Sequence, residues 1–124
     1  MIASQALYRK TLNLCELTEK VSRVSHMDTT TKAFSIELSH CLIEDSILLK
    51  SSIHSALYEK TSVQGQYRIV HFALILVKNL QSYLKGLEYD ATLHSDYTRT
   101  LIDELKGYRK FLSNNYNRWK VYLN

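Results

Sequence analysis

Residues 67–84 read YRIVHFALILVKNLQSYL, and this stretch decides the fold. One helical face of it is apolar at Tyr67, Val70, Leu74, Val77 and Leu84. A second apolar face adjoins the first at Ile69, Phe72, Ala73, Leu76 and Leu80. A helix that is apolar around most of its circumference is normally buried on several sides. Its longest apolar run, residues 69–77, is far shorter than the roughly 20 residues that a membrane span needs. The stretch therefore predicts a core helix and no transmembrane helix.

Apolar periodicity predicts three further helices, over residues 3–25, 30–58 and 96–120. Their stripes are Leu7, Leu14, Leu17, Val21 and Val24; Phe34, Leu38, Cys41, Leu42, Leu48, Leu49, Ile53 and Ala56; and Leu101, Leu105, Tyr108, Leu112 and Trp119. Gly86 is expected to end the third helix in a left-handed turn. Because short connections make sequential helices antiparallel, we predict an all-α fold: an antiparallel up-down-up-down four-helix bundle that spans residues 1–124 as one domain.

Composition supports this fold class. The chain has 124 residues, of which 45% are hydrophobic and 23% charged, which excludes a disordered chain. It has no proline and three glycines, too few for the many turns of an all-β sandwich. Two cysteines, Cys15 and Cys41, cannot form a structural zinc site and are expected to be small buried hydrophobic residues. Since the first ten residues lack the apolar core of a secretory leader, a reducing, cytoplasmic location is expected.

No motif predicts catalysis. Glu37 and His40 have the spacing of iron ligands in ferritin-like bundles, but no second pair of this kind exists in the chain, and solvated edge residues are the favoured interpretation. No glycine-rich phosphate loop or nucleophile elbow is present. No arginine is followed by a histidine at the spacing of the HEPN ribonucleases. We therefore expect no enzyme activity, no metal and no cofactor.

Asp45 interrupts the apolar stripe of the second helix. A buried carboxylate without a partner is costly, so Asp45 could pair with Arg68 or Arg99 across the bundle or between subunits. The favoured interpretation is that the helix turns Asp45 to the rim, beside Glu44.

The net charge of +4 conceals a polarised chain. Residues 106–124 contain five bases and no acid, with aromatic side chains interleaved, whereas residues 28–59 contain five acids and two bases. Such a basic segment can contact phosphates with its cations and bases with its rings, although a solvated face explains the same pattern. In an antiparallel bundle the start of the first helix lies beside the end of the last. The predicted nucleic-acid contacts are Arg9, Lys10, Lys106, Arg109, Lys110, Arg118 and Lys120.

The order of short motifs resembles a family of small four-helix bundles from bacteria and phages. The matching residues are Leu7-Tyr8, Phe34-Ser-Ile-Glu37-Leu38, Tyr67-Arg68, Lys85-Gly86-Leu87, Leu93-His-Ser-Asp-Tyr97 and Trp119. The family includes the Avd accessory proteins of diversity-generating retroelements and the intervening-sequence proteins of 23S rRNA genes. The resemblance implies a homopentameric, positively charged barrel that binds a reverse transcriptase and its template RNA or cDNA without catalysing a reaction.

Two alternatives remain beside an Avd-like accessory protein. One is an intervening-sequence-type bundle of unknown role. The other is a protein-binding helical adaptor or antitoxin-like module, in which the acidic second helix is the interface and the cations only keep the surface hydrated. In each case the excess of apolar and amphipathic residues predicts a homo-oligomer.

Overall fold

Four helices form the chain in the computed structural model, which describes residues 4–27, 33–89 and 96–120. Helix α1 is Gln5–Met27, α2 is Ala33–Tyr58, α3 is Val63–Tyr89 and α4 is Asp96–Lys120. The described residues contain no strand. The predicted all-α fold is confirmed. The third helix begins earlier and continues further than the sequence indicated.

Contacts run α1–α2, α2–α3, α3–α4 and α4–α1, so each helix has two neighbours. Hydrogen bonds show that neighbours are antiparallel: Gln5 at the start of α1 bonds Tyr58 at the end of α2 at 3.0 Å. Likewise Gln66 near the start of α3 donates to the Ala56 carbonyl near the end of α2 at 3.2 Å. This is the predicted up-down-up-down bundle. In such a ring the groove between α1 and α2 and the groove between α3 and α4 open on opposite sides of the molecule.

The core is built mainly from leucines contributed by all four helices. Side chains with less than 2% exposure include Leu7, Leu14, Val21, Leu42, Leu49, Ile53, Leu80, Leu87, Leu101, Leu105 and Leu112. Burying each of these contributes roughly 1.5–3 kcal/mol relative to leaving it in water. Most of the predicted stripe residues whose side chains the structure describes are buried, but Leu48 is 48% exposed, and Leu17, Leu38 and Cys41 are half-buried. The side chains of Val24, Phe34 and Trp119 lie outside the described residues.

Helix α1 carries a polar component of the core that hydrophobic periodicity does not detect. Thr11 and Thr18 are buried between its leucines, and their hydroxyls donate to the carbonyl groups of Leu7 and Leu14, each at 2.8 Å. The Thr11 hydroxyl also accepts a hydrogen bond from Tyr108. Because burial favours the neutral phenol, the pKa of Tyr108 is raised. These bonds satisfy the buried hydroxyls and fix α1 against α4.

Helix α3 does not end at Gly86, contrary to the sequence prediction. The helix continues to Tyr89, and Gly86 instead lies where α2 approaches α3 closely. A Cβ atom at this position would be 2.7 Å from Cδ1 of Leu38. The glycine therefore serves helix packing and is not a left-handed cap.

Glycine substitutions test this assignment. Gly107 lies inside α4 with nothing within 4 Å of its Cβ position. Gly107→Ala is expected to raise the free energy of unfolding by about 0.5–1 kcal/mol, since alanine is the better helix former. Gly86→Ala should gain less or lose, because Leu38 must move. Urea unfolding followed by circular dichroism measures both; equal gains would contradict the packing role of Gly86.

The apolar side of α3 is not fully covered within one chain. The helix was expected to be buried on several sides, but Phe72 is 43% exposed and Ile75 is 44% exposed, so part of its apolar surface faces away from the other helices. None of the helices, over the residues described, is both long and apolar enough to span a bilayer.

Asp45 neither pairs with an arginine nor lies free at the rim beside Glu44, the two interpretations of the sequence. Its carboxylate is half-buried between α2 and α3 and accepts a hydrogen bond from the Tyr83 hydroxyl at 2.9 Å. Burial, reinforced by this bond and by the charge of Asp45, raises the pKa of Tyr83 to about 12. Asp45 is thus an inter-helix partner, but for a tyrosine and not for an arginine.

Candidate nucleic-acid interface

A groove between α3 and α4 brings together four cations, two from each helix. Lys78 and Lys85 lie two turns apart on α3, and Lys106 and Arg109 lie on successive turns of α4. Among the residues that the structure describes, Glu88 is the one acid that lines it. We refer to this feature, with its four cations and one acid, as the basic groove.

The basic groove consists of two recesses that share Arg109. The first has a volume of about 380 Å³, and its polar lining is Gln81, Lys85, Glu88, Lys106 and Arg109. The second has a volume of about 260 Å³ and is lined by His71, Leu74, Ile75, Lys78, Arg109 and Ser113. The acid is therefore confined to the first recess.

Arg109 is the best-fixed cation of the groove. Its side chain is half-buried, and Nη1 donates to Oε1 of Gln81 on α3 at 2.9 Å. The amide neutralises no charge, so the guanidinium retains its full positive charge and its other N–H groups. A planar guanidinium held in this way is suited to a phosphate or carboxylate.

The opposite side of the bundle has different chemistry. A groove between α1 and α2, of about 530 Å³, is lined by Leu12, Cys15, Glu16, Glu19, Ile43, Ser46, Ile47 and Lys50. Leu12 and Ile47 are 38% and 56% exposed. Two acids and one cation border this feature, which we call the apolar groove. Both acids come from α1, and none of the acids that the sequence analysis counted in residues 28–59 lines this groove.

The structure does not bring the seven predicted contact residues together at one site. Lys106 and Arg109 line the basic groove. Lys10 lies on the α1 side, with its Nζ atom 5.1 Å from the ring centre of Phe111. The exposed side chains of the set include Arg9, Lys110 and Arg118, and the side chain of Lys120 lies outside the described residues.

Lys78 and Lys85 are the groove residues that the sequence reasoning missed. The predicted contacts came from a run of bases along one segment, whereas the groove combines residues 71–88 of α3 with residues 102–113 of α4. The spacing of seven residues between Lys78 and Lys85 gives a signal, because it places both on one helical face. Their register against Lys106 and Arg109 depends on how α3 and α4 pack.

The aromatic residues near the basic segment are engaged in packing. Tyr108 is 4% exposed, so it belongs to the core and cannot stack on a base. Tyr116 is half-buried, its ring centre 5.3 Å from that of Tyr67 and 6.2 Å from that of His71. The Trp119 side chain lies outside the described residues. Cations, and not these two tyrosine rings, are therefore what the groove offers to a ligand.

The described residues offer neither an activated thiol nor a cluster of metal ligands. Cys15 and Cys41 are half-buried, not fully buried as expected. Burial raises the pKa of the Cys15 thiol to about 11, and its Sγ donates to the Ser46 carbonyl at 3.2 Å, so little thiolate forms at neutral pH. Glu37 and His40 are exposed, and no cluster of three or more potential metal ligands occurs in the part of the chain described.

Comparisons of the chain with protein families, curated proteins and solved structures gave no match. What the molecule binds must therefore follow from its own side chains. Of the two grooves formed by described residues above, the basic one presents the more specific chemistry, because four cations face a single acid there.

Proposed function

We propose that this chain is a non-enzymatic nucleic-acid-binding accessory protein whose basic groove contacts the phosphates of RNA or DNA. The observation that carries the proposal is the convergence of Lys78, Lys85, Lys106 and Arg109 between two helices, with Glu88 as the opposing charge. Arg9, Lys10, Lys110, Arg118 and Lys120 would extend the contact beyond the groove.

The groove suits contacts to the phosphate backbone of a single strand better than contacts that read the bases. Lys78 and Lys85 are separated by about 10 Å along α3, at 1.5 Å per residue, so the groove can follow a short stretch of backbone. Cations that neutralise phosphates release counterions and bind without strong sequence preference. The proposed activity is therefore backbone binding with modest sequence selectivity.

Self-association would multiply this contact. Apolar side chains are exposed both on the apolar groove, at Leu12 and Ile47, and on α3, at Phe72. Repeating one basic groove around an oligomer raises the avidity for a long polyanion without new contacts. The resemblance to Avd proteins extends the proposal to a homopentamer that assists a reverse transcriptase.

Salt-dependent binding tests the proposed function. With labelled single-stranded RNA and DNA of mixed sequence, the logarithm of the binding constant should fall with the logarithm of salt concentration, with a slope of about −3 for four phosphate contacts per chain. Fluorescence anisotropy between low and moderate salt measures this slope. No binding at low salt, or binding that salt does not weaken, would refute the proposal.

A protein-binding adaptor is the second candidate, and the apolar groove favours it. Leu12, Ile43 and Ile47 provide an apolar surface bordered by Glu16 and Glu19, which fits an amphipathic, basic helix of a partner. Absence of nucleic-acid binding together with a stable protein complex would select this candidate. A neighbouring reverse transcriptase gene would favour the Avd-like branch, and placement inside a 23S rRNA gene the intervening-sequence branch.

A further inference from the structure

The second recess of the basic groove has the features of a site for one phosphate group. Three of its lining side chains are hydrogen-bond donors from two helices: Lys78 on α3, and Arg109 and Ser113 on α4. His71 adds an imidazole. None of the described residues that line the recess is an acid, so no carboxylate among them competes with an anion for these donors.

Size and surroundings agree with such a ligand. The recess measures about 260 Å³, several times the roughly 30 Å³ that one water molecule occupies. Leu74 and Ile75 form its apolar part. Arg109 is held by Gln81 from the neighbouring recess, so its planar fork is ordered before a ligand arrives.

We propose that His71, Lys78, Arg109 and Ser113 form a discrete anchor for one phosphate group, while the rest of the basic groove attracts polyanions only by charge. The proposal rests on the proposed function for the identity of the macromolecule that carries the phosphate. The group is either an internal phosphodiester or a terminal phosphomonoester of the bound strand.

Inorganic phosphate is the first probe, titrated into the full chain at constant ionic strength and followed by amide chemical shifts. Saturable shifts are expected at residues around the recess. Lys78→Met should weaken phosphate binding about tenfold, as the loss of a charge-assisted hydrogen bond implies. Lys50→Met, the matched control, removes an equal charge at an exposed position beside the apolar groove, on the opposite side of the bundle, and should change it less than about twofold.

Equal weakening by the two variants, or shifts that do not saturate, would overturn the anchor. Arg109→Lys keeps the charge but loses the planar fork, and no loss of phosphate affinity in this variant would also contradict the proposal. A variant that loses the amide spectrum of the folded bundle is replaced by Ser113→Ala, which removes one hydroxyl. Its expected effect on phosphate affinity is a decrease of about fivefold, and an unchanged affinity counts against the anchor.

Two oligonucleotides of one sequence, with a 5′-hydroxyl or a 5′-phosphate, distinguish the source of the group. A gain in affinity from the 5′-phosphate that Lys78→Met removes assigns a terminal phosphate. Equal affinities, both weakened by Lys78→Met more than by Lys50→Met, assign an internal phosphodiester. Saturable phosphate binding without any strand binding refutes the nucleic-acid function and leaves the anchor intact, so the two failures are distinguishable.

Discussion

Reversing two charges in the basic groove is expected to remove most nucleic-acid binding. Lys78→Glu combined with Lys106→Glu replaces two of the four groove cations by acids, leaving Lys85 and Arg109 against three acids. Single-strand affinity should fall by about 100-fold at low salt, roughly tenfold for each reversed charge. The salt slope should lose about 1.4, that is, about 0.7 for each lost phosphate contact. Anisotropy titrations at several salt concentrations measure both effects.

A charge-matched control separates groove contacts from net charge. Lys50→Glu with Lys60→Glu changes the net charge by the same amount at two exposed positions, the first of which borders the apolar groove. Neither residue lines the basic groove. This variant should lose less than about fivefold, because exposed charges beyond a Debye length are screened. Similar losses in the two double variants would refute the groove as the binding site.

Adjacent leucines in α2 are expected to differ strongly in their contribution to stability. Leu49 has no exposed surface and belongs to the core, whereas the preceding residue, Leu48, is 48% exposed. Leu49→Ala should lower the free energy of unfolding by about 3 kcal/mol, through lost burial and a residual cavity. Leu48→Ala should cost less than about 1 kcal/mol, since little burial is lost and alanine favours the helix.

Chemical unfolding of both variants, with the wild type as reference, measures this difference. The two substitutions delete the same atoms from neighbouring residues, so effects on the unfolded chain largely cancel between them. A Leu48→Ala loss as large as that of Leu49→Ala would mean that Leu48 is covered in solution. Such a result at high protein concentration alone would identify α2 as part of an oligomer interface.

Helix positions were largely predictable because apolar periodicity is a local property. The predicted fourth helix, 96–120, coincides with the observed Asp96–Lys120, and the predicted end of the second helix is observed at Tyr58. Gly86 was misassigned because a glycine near the end of a helix and a glycine under a neighbouring helix have the same local sequence. Only the position of Leu38 distinguishes them.

Two of the four cations of the candidate site were predicted from the sequence. Lys106 and Arg109 were expected from the acid-free segment, and both line the groove. Lys78 and Lys85 were not, because each lies in a helix noted for its apolar residues. Tyr108 lies both on the predicted apolar stripe of the fourth helix and among the aromatic residues of the basic segment. In the structure it is a core residue that is hydrogen-bonded to Thr11.

The sequence by itself determined the class of fold, the antiparallel order of the helices and the excess of positive charge near the end of the chain. These follow from spacing and composition, which act within one helix or between successive helices. Only the tertiary structure decided which cations face the same groove, how Asp45 is satisfied and which leucine of a pair is buried. Such outcomes depend on the rotation and register of each helix against two neighbours, which are set by packing of the whole core at once.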